Sequence, residues 1–190
     1  MLSRNFPAQH LWSEQTFDII SYMFEGLVEE RFGWTAAQLD AELREIELAY
    51  RALEARRAAN LIAAEARQVA DVDGHRSTAA YVRATTNQPA AVAGAQVRRA
   101  RFCRDHTAAG EALRAGFVGV AQIDALARVA KHPRVGVLFG ADLVAMFLEH
   151  AEHFSYRDFM TILDRWVMLA DQDGAWRDSL DDVERRTASL

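Results

Sequence analysis

Two copies of an Asp-x-Asp-Gly motif, Asp71-Val72-Asp73-Gly74 and Asp171-Gln172-Asp173-Gly174, are the first residues whose spacing invites a chemical reading. Paired carboxylates ahead of a glycine suggest calcium, but an EF-hand loop places its glycine sixth, after three oxygen ligands, and closes with a glutamate. Here the glycine falls fourth both times. The pattern better suits a helix C-terminus, with glycine free to take positive φ and the aspartates hydrogen-bonding the turn. His150 and His153, beside Glu149 and Glu152, and the pair Cys103 and His106 have the ligand types for zinc if their helices met. Nothing in the sequence brings them together. A phosphate-binding glycine loop, a Gly-x-Ser-x-Gly elbow and a His-Asn-His constellation are all missing, so no catalytic residue, metal or cofactor is expected.

Charge points to different chemistry. Residues 74–136 hold ten basic side chains against three acidic ones, a net of +7, which leaves −12 for the remainder of a chain totalling −5. Such a split can mark a polyanion-facing surface within an acidic protein. Arg98, Arg99, Arg101 and Arg104 cluster in one segment, with Arg98 and Arg101 on its open side and Arg99 and Arg104 at the two margins. Arg76, Arg83 and Arg104 suit phosphate contacts, Arg98 or Arg101 could reach guanine edges, and Arg99 belongs to the same face. The competing reading pairs these arginines with acidic helices inside the fold.

The elements that must position them are all helical. Apolar residues recur at helical spacing almost throughout, and three prolines leave little room for strands. The fold class is therefore all-α, a helical bundle. An N-terminal helix spans about 13–30, starting at Ser13, carrying Phe17, Ile20, Met23, Phe24 and Leu27, and ending at Arg31-Phe32-Gly33-Trp34. Thr35 with Gln38 forms a capping box that opens a long helix, about 35–70. On it Leu39, Leu43, Ile46, Tyr50 and Leu53 keep the 4-3-4-3 spacing of a helix packed along a partner. That partner could be another chain or the helix's own domain.

Ser77 or Thr78 caps a short helix through Arg83. Residues 85–89 make a turn, and Pro89 takes the first position of the next helix, about 90–104. There Val92, Ala93, Val97, Ala100 and Cys103 line one side, with Gln96 the polar interruption. Together, about 77–104 has the outline of a helix-turn-helix, whose second helix can enter the DNA major groove. Further helices are expected from Thr107 to near Gly116, over Val120–Lys131 and over Asp142–His153, and a last one opens at Ser155 with Asp158.

A chain of 190 residues can bury a core without staples. The single cysteine excludes an internal disulfide and fits a reducing compartment. The N-terminus lacks the basic-then-apolar pattern of a signal peptide, and the longest apolar run, 135–148, is interrupted by Asp142. A cytoplasmic protein without membrane contact is expected. Arginine supplies 21 of the 22 basic residues, with Lys131 the exception, which reflects coding bias as much as chemistry.

The stretch from Asp71 to Arg101, followed by residues 107–129 and closed by Leu169-Ala170-Asp171-Gln172-Asp173-Gly174, resembles the 13E12 repeat family, a domain of unknown function. The family order is Asp-Gly-x-Arg-Ser-Thr-Ala-Ala-Trp-Leu, a basic Val-x-x-Ala-Arg helix, Ala-Leu-x-x-Gly-x-Ile-Ser-x-x-Gln, and Asp-Pro-Asp-Gly. It is matched here by Gly74, Arg76, Ser77, Thr78, Ala79 and Ala80, by Val97, Ala100 and Arg101, by Ala112, Leu113, Gly116 and Gln122, and by Asp171, Asp173 and Gly174. Tyr81 replaces the common Trp, Val118-Gly119 replaces Ile-Ser, and Gln172 replaces Pro. Members commonly continue into a C-terminal HNH endonuclease domain, which implies a role at DNA for the helical part. No such motif occurs in this sequence to Leu190.

The sequence thus reads as a single helical domain over 1–174, its core 35–174, with a polar tail or linker at 175–190. The leading expectation is a non-catalytic DNA-targeting module. Its rival is a protein-interaction or homodimerisation module working through the apolar stripe and the N-terminal helix.

Overall fold

A computed structural model describes residues 25–171, and every regular element among them is helical. The chain divides into two compact units, residues 1–46 and 47–190. In the first, residues 25–32 are helical, and a turn over Gly33 and Trp34 leads into helix α1, Ala36–Ala66. The capping box forms as the sequence suggests: the Thr35 N–H donates to Gln38 Oε1 at 2.9 Å and the Gln38 N–H to Thr35 Oγ1 at 3.3 Å. Arg31 pairs with Glu42 at 3.1 Å and stacks over Trp34 at 4.8 Å. Ser13, Phe17, Ile20, Met23 and Phe24 of the expected N-terminal helix lie outside the described residues, as do Gly174 and the tail.

Helix α1, 31 residues long, runs ~46 Å at 1.5 Å per residue. It ends four residues short of the expected boundary because Gln68 adopts left-handed backbone, φ 54°. The single turn α2, Val69–Val72, follows. Gly74 (φ 74°) then closes that turn, with the His75 N–H donating to the Ala70 carbonyl at 2.8 Å and the Gly74 N–H to the Asp71 carbonyl at 3.1 Å. The glycine does what was expected of it. The aspartates do not: the closure is made by backbone groups, while Asp71 and Asp73 stand exposed.

The second unit continues with α3 (Thr78–Thr86), α4 (Ala90–Asp105), α5 (Thr107–Ala115), α6 (Val120–Val129), a 3-10 turn at Gly136–Leu138, α7 (Ala141–His153) and α8 (Tyr156–Ala170). Ser77 caps α3 by accepting from the Ala80 N–H at 3.2 Å, and Ser155 caps α8 by accepting from Asp158. Pro89 sits one position ahead of α4 rather than at its first residue. Gly116 ends α5 at φ 81°, a left-handed conformation that strains any other side chain, so glycine is favoured at that turn.

Two apolar clusters share α4. Ala93, Val97 and Ala100 pack with Ala58 and Leu61 of α1 and Val82 of α3. Phe102 and Cys103 point into a larger core built by Leu113, Ile123, Leu126, Phe147, Phe159 and Leu163. At its centre Phe147 meets Phe139 at 5.7 Å, Trp166 at 5.9 Å and Phe159 at 6.4 Å. Burial pushes the Cys103 thiol up to about 11, so it is a packing group and not a nucleophile at neutral pH. Among the described residues no helix is long and apolar enough to cross a membrane.

Candidate nucleic-acid interface

The pair α3 and α4, joined by Asn87, Gln88 and Pro89, carries the basic segment. Asn87 takes left-handed backbone at φ 52°, which turns the chain sharply enough for a three-residue link. Val82 on α3 and Ala93, Val97 and Ala100 on α4 bury the facing sides, and this rotation decides where each arginine goes.

The arginines separate into three groups. Arg76, Arg83 and Arg98 are exposed and have no ion-pair partner among the described residues. Arg101 and Arg104 are about half exposed but share Glu65 of α1: Arg101 holds it through two nitrogens at 2.9 and 2.6 Å, and Arg104 approaches at 3.5 Å while also bonding Asp105. The hydrogen bond from Arg101, working against partial burial, holds Glu65 below its ordinary value and raises the Arg101 guanidinium in turn.

Arg99 corrects the expectation that it borders the open face. It is 6% exposed and turns inward. Its Nε and Nη2 donate to Asp124 of α6 at 2.8 and 2.7 Å, and its Nη1 bonds Glu54 of α1, which is 2% exposed and also takes Arg57. Burial alone would lower the Arg99 pKa, but its hydrogen bonds and the charges of Asp124 and Glu54 outweigh that and raise it. Glu54 escaped the sequence reading. The available signal was its place four residues before Ala58 and seven before Leu61, on the side of α1 that packs.

The apolar stripe on α1 is exposed. Leu39, Leu43, Ile46, Tyr50 and Leu53 show 39% to 66% of their surface, while the buried residues of this helix are Glu54, Ala58 and Leu61. The suggested metal ligands have other work. Cys103 is buried, His106 packs on Phe102 at 4.7 Å, and His150 lies between Phe147 and Phe154. No three His, Cys, Asp or Glu side chains converge among the described residues.

Two outcomes follow from this sorting. Arg99→Ala leaves the buried Glu54 with Arg57 alone and the part-buried Asp124 without its guanidinium, and should cost about 3–5 kcal/mol in urea unfolding, whereas Arg98→Ala should stay within about 0.5 kcal/mol. Equal effects would mean that the buried pairing contributes little. Glu65, whose pKa falls on folding, stabilises the fold above its ordinary 4.5 and loses that contribution as pH drops. The thermal midpoints of the protein and its Glu65→Gln variant should therefore converge as pH falls below 4.5.

No family model matches the chain, and neither does any curated protein or solved structure.

Proposed function

We propose that this chain is a non-catalytic DNA-binding module, of the kind that the 13E12 resemblance associates with HNH endonucleases. The observation that carries the reading is the exposure of Arg76, Arg83 and Arg98, on or beside a short helix pair, with no ion-pair partner among the described residues. Guanidiniums in that state release phosphate counterions at no internal cost. Arg101 and Arg104 contribute only by giving up Glu65, so they tune affinity more than they supply it. Arg99 is reserved for the fold.

Fluorescence anisotropy of a labelled duplex across a salt series tests this. Each phosphate contact contributes ~0.9 to the slope of log affinity against log salt, so reversing Arg76, Arg83 and Arg98 to Glu should remove between two and three units. Glu65→Gln, which removes the carboxylate that Arg101 and Arg104 share, should tighten binding. An absence of binding at low salt would sink the reading.

A second reading has its own observation, the exposed stripe from Leu39 to Leu53, which spans ~21 Å of helix. Apolar side chains at that spacing suit pairing with another helix, and a second copy supplies one. Light scattering should then show a mass that rises with concentration and returns to that of a monomer in Leu43→Glu/Ile46→Glu. A constant monomer mass would remove it.

A further inference from the structure

A cleft of about 450 Å³ opens between α1, α3 and α4, on none of the arginines assigned to duplex contact. Leu61 and Val82 give it apolar walls, and the Tyr81 ring, set edge-on to His75 at 5.7 Å, contributes an aromatic one. Gln96 lines it from α4. That glutamine is 7% exposed, and its Oε1 is the one fully buried side-chain polar atom among the described residues with no hydrogen-bond partner. An orphan of this kind costs stability, and a leucine of similar volume would avoid the cost. The residue is therefore poorly explained by packing and well explained by a ligand that completes its hydrogen bonds.

The remaining lining narrows the ligand's chemistry. No carboxylate among the described residues lines the cleft. Two guanidiniums do, and they differ: Arg57 is engaged by Glu54, whereas Arg56 is exposed without an ion pair among the described residues. The Thr85 hydroxyl stands exposed on the same cleft. The lining thus combines a buried carboxamide with apolar and aromatic groups and an exposed cation that has no ion pair among the described residues. A carboxamide reads the edge of a nucleobase, an aromatic ring packs on its face, and a guanidinium takes phosphate. The volume falls within the range of small-ligand sites.

We infer that the α1/α3/α4 cleft is a binding site for one nucleotide, with Gln96 pairing the edge of its base, Tyr81 packing beside it and Arg56 holding its phosphate. A free nucleotide and an unstacked nucleotide of a single strand share this chemistry. The site is independent of duplex binding through Arg76, Arg83 and Arg98.

Isothermal titration calorimetry of the full chain with the four deoxynucleoside monophosphates, and with single-stranded hexanucleotides, tests it. Binding of at least one monophosphate identifies a free nucleotide as sufficient, and binding of hexanucleotides alone identifies the strand as the source. In either case Gln96→Leu should weaken binding at least tenfold while melting no lower than the unaltered protein, because it removes an unpaired group and not a support. Arg56→Ala should weaken the monophosphate severalfold and leave the corresponding nucleoside unchanged. Reversal of Arg76, Arg83 and Arg98 should leave monophosphate binding intact, which separates failure of the duplex reading from failure of this one. Two results overturn the inference: no titration by any probe at millimolar concentration, or binding that survives Gln96→Leu undiminished.

Discussion

A buried guanidinium must be answered, and in this fold the answer comes from two other helices at once. Arg99 on α4 engages Glu54 on α1 and Asp124 on α6, residues 45 and 25 positions away in the chain. With Arg57 included, two positive and two negative charges meet and the local net charge is zero. Desolvation makes such a group costly to assemble and more costly to leave incomplete. It therefore selects one rotation of α1 against α4. Glu54 must face inward with Ala58 and Leu61, and Leu53, about 100° further round the helix, is carried outward.

Helix α4 is the element on which both cores depend. Small residues, Ala93, Val97 and Ala100, let α1 and α3 approach closely, and larger ones, Phe102 and Cys103, anchor the aromatic cluster around Phe147. A helix buried along two sides has little circumference left for solvent. The arginines of the segment therefore divide by position: Arg98 outward, Arg101 and Arg104 over Glu65, Arg99 inward. Gln96 falls on a buried side as well, at the wall of the cleft.

Local signals in the sequence translated well. The Thr35/Gln38 capping box, the Ser77 and Ser155 caps and the glycines that end helices at 74 and 116 are all decided within a few residues, where hydrogen-bond donors and steric freedom can be read directly. What was missed depends on partners distant in sequence. The break at Gln68 is made by a residue with no preference for left-handed backbone. The inward turn of Arg99 depends on Glu54 and Asp124, and neither spacing nor composition distinguishes it from Arg98 one position earlier. The unsatisfied side chain at Gln96 was visible as a polar residue in an apolar register, but its cleft exists only once α1 and α3 close over it.

Helix α1 is one element by geometry and two by energetics. From Ala36 to Leu53 it has no buried residue, and among the described residues it is held by its capping box, by pairs such as Asp40 with Arg44, Glu47 with Arg51 and Arg31 with Glu42, and by the bond from Arg51 to the Gly116 carbonyl. From Glu54 onward it is held by charge and by packing. Pairs of the first kind add only about 0.3–0.5 kcal/mol each, so the leading turns open far more often than the trailing ones although the hydrogen-bond ladder runs unbroken between them. Amide exchange along this single helix should be graded accordingly, and whatever covers its leading face should register there first, as slowed exchange in a stretch whose conformation need not change at all.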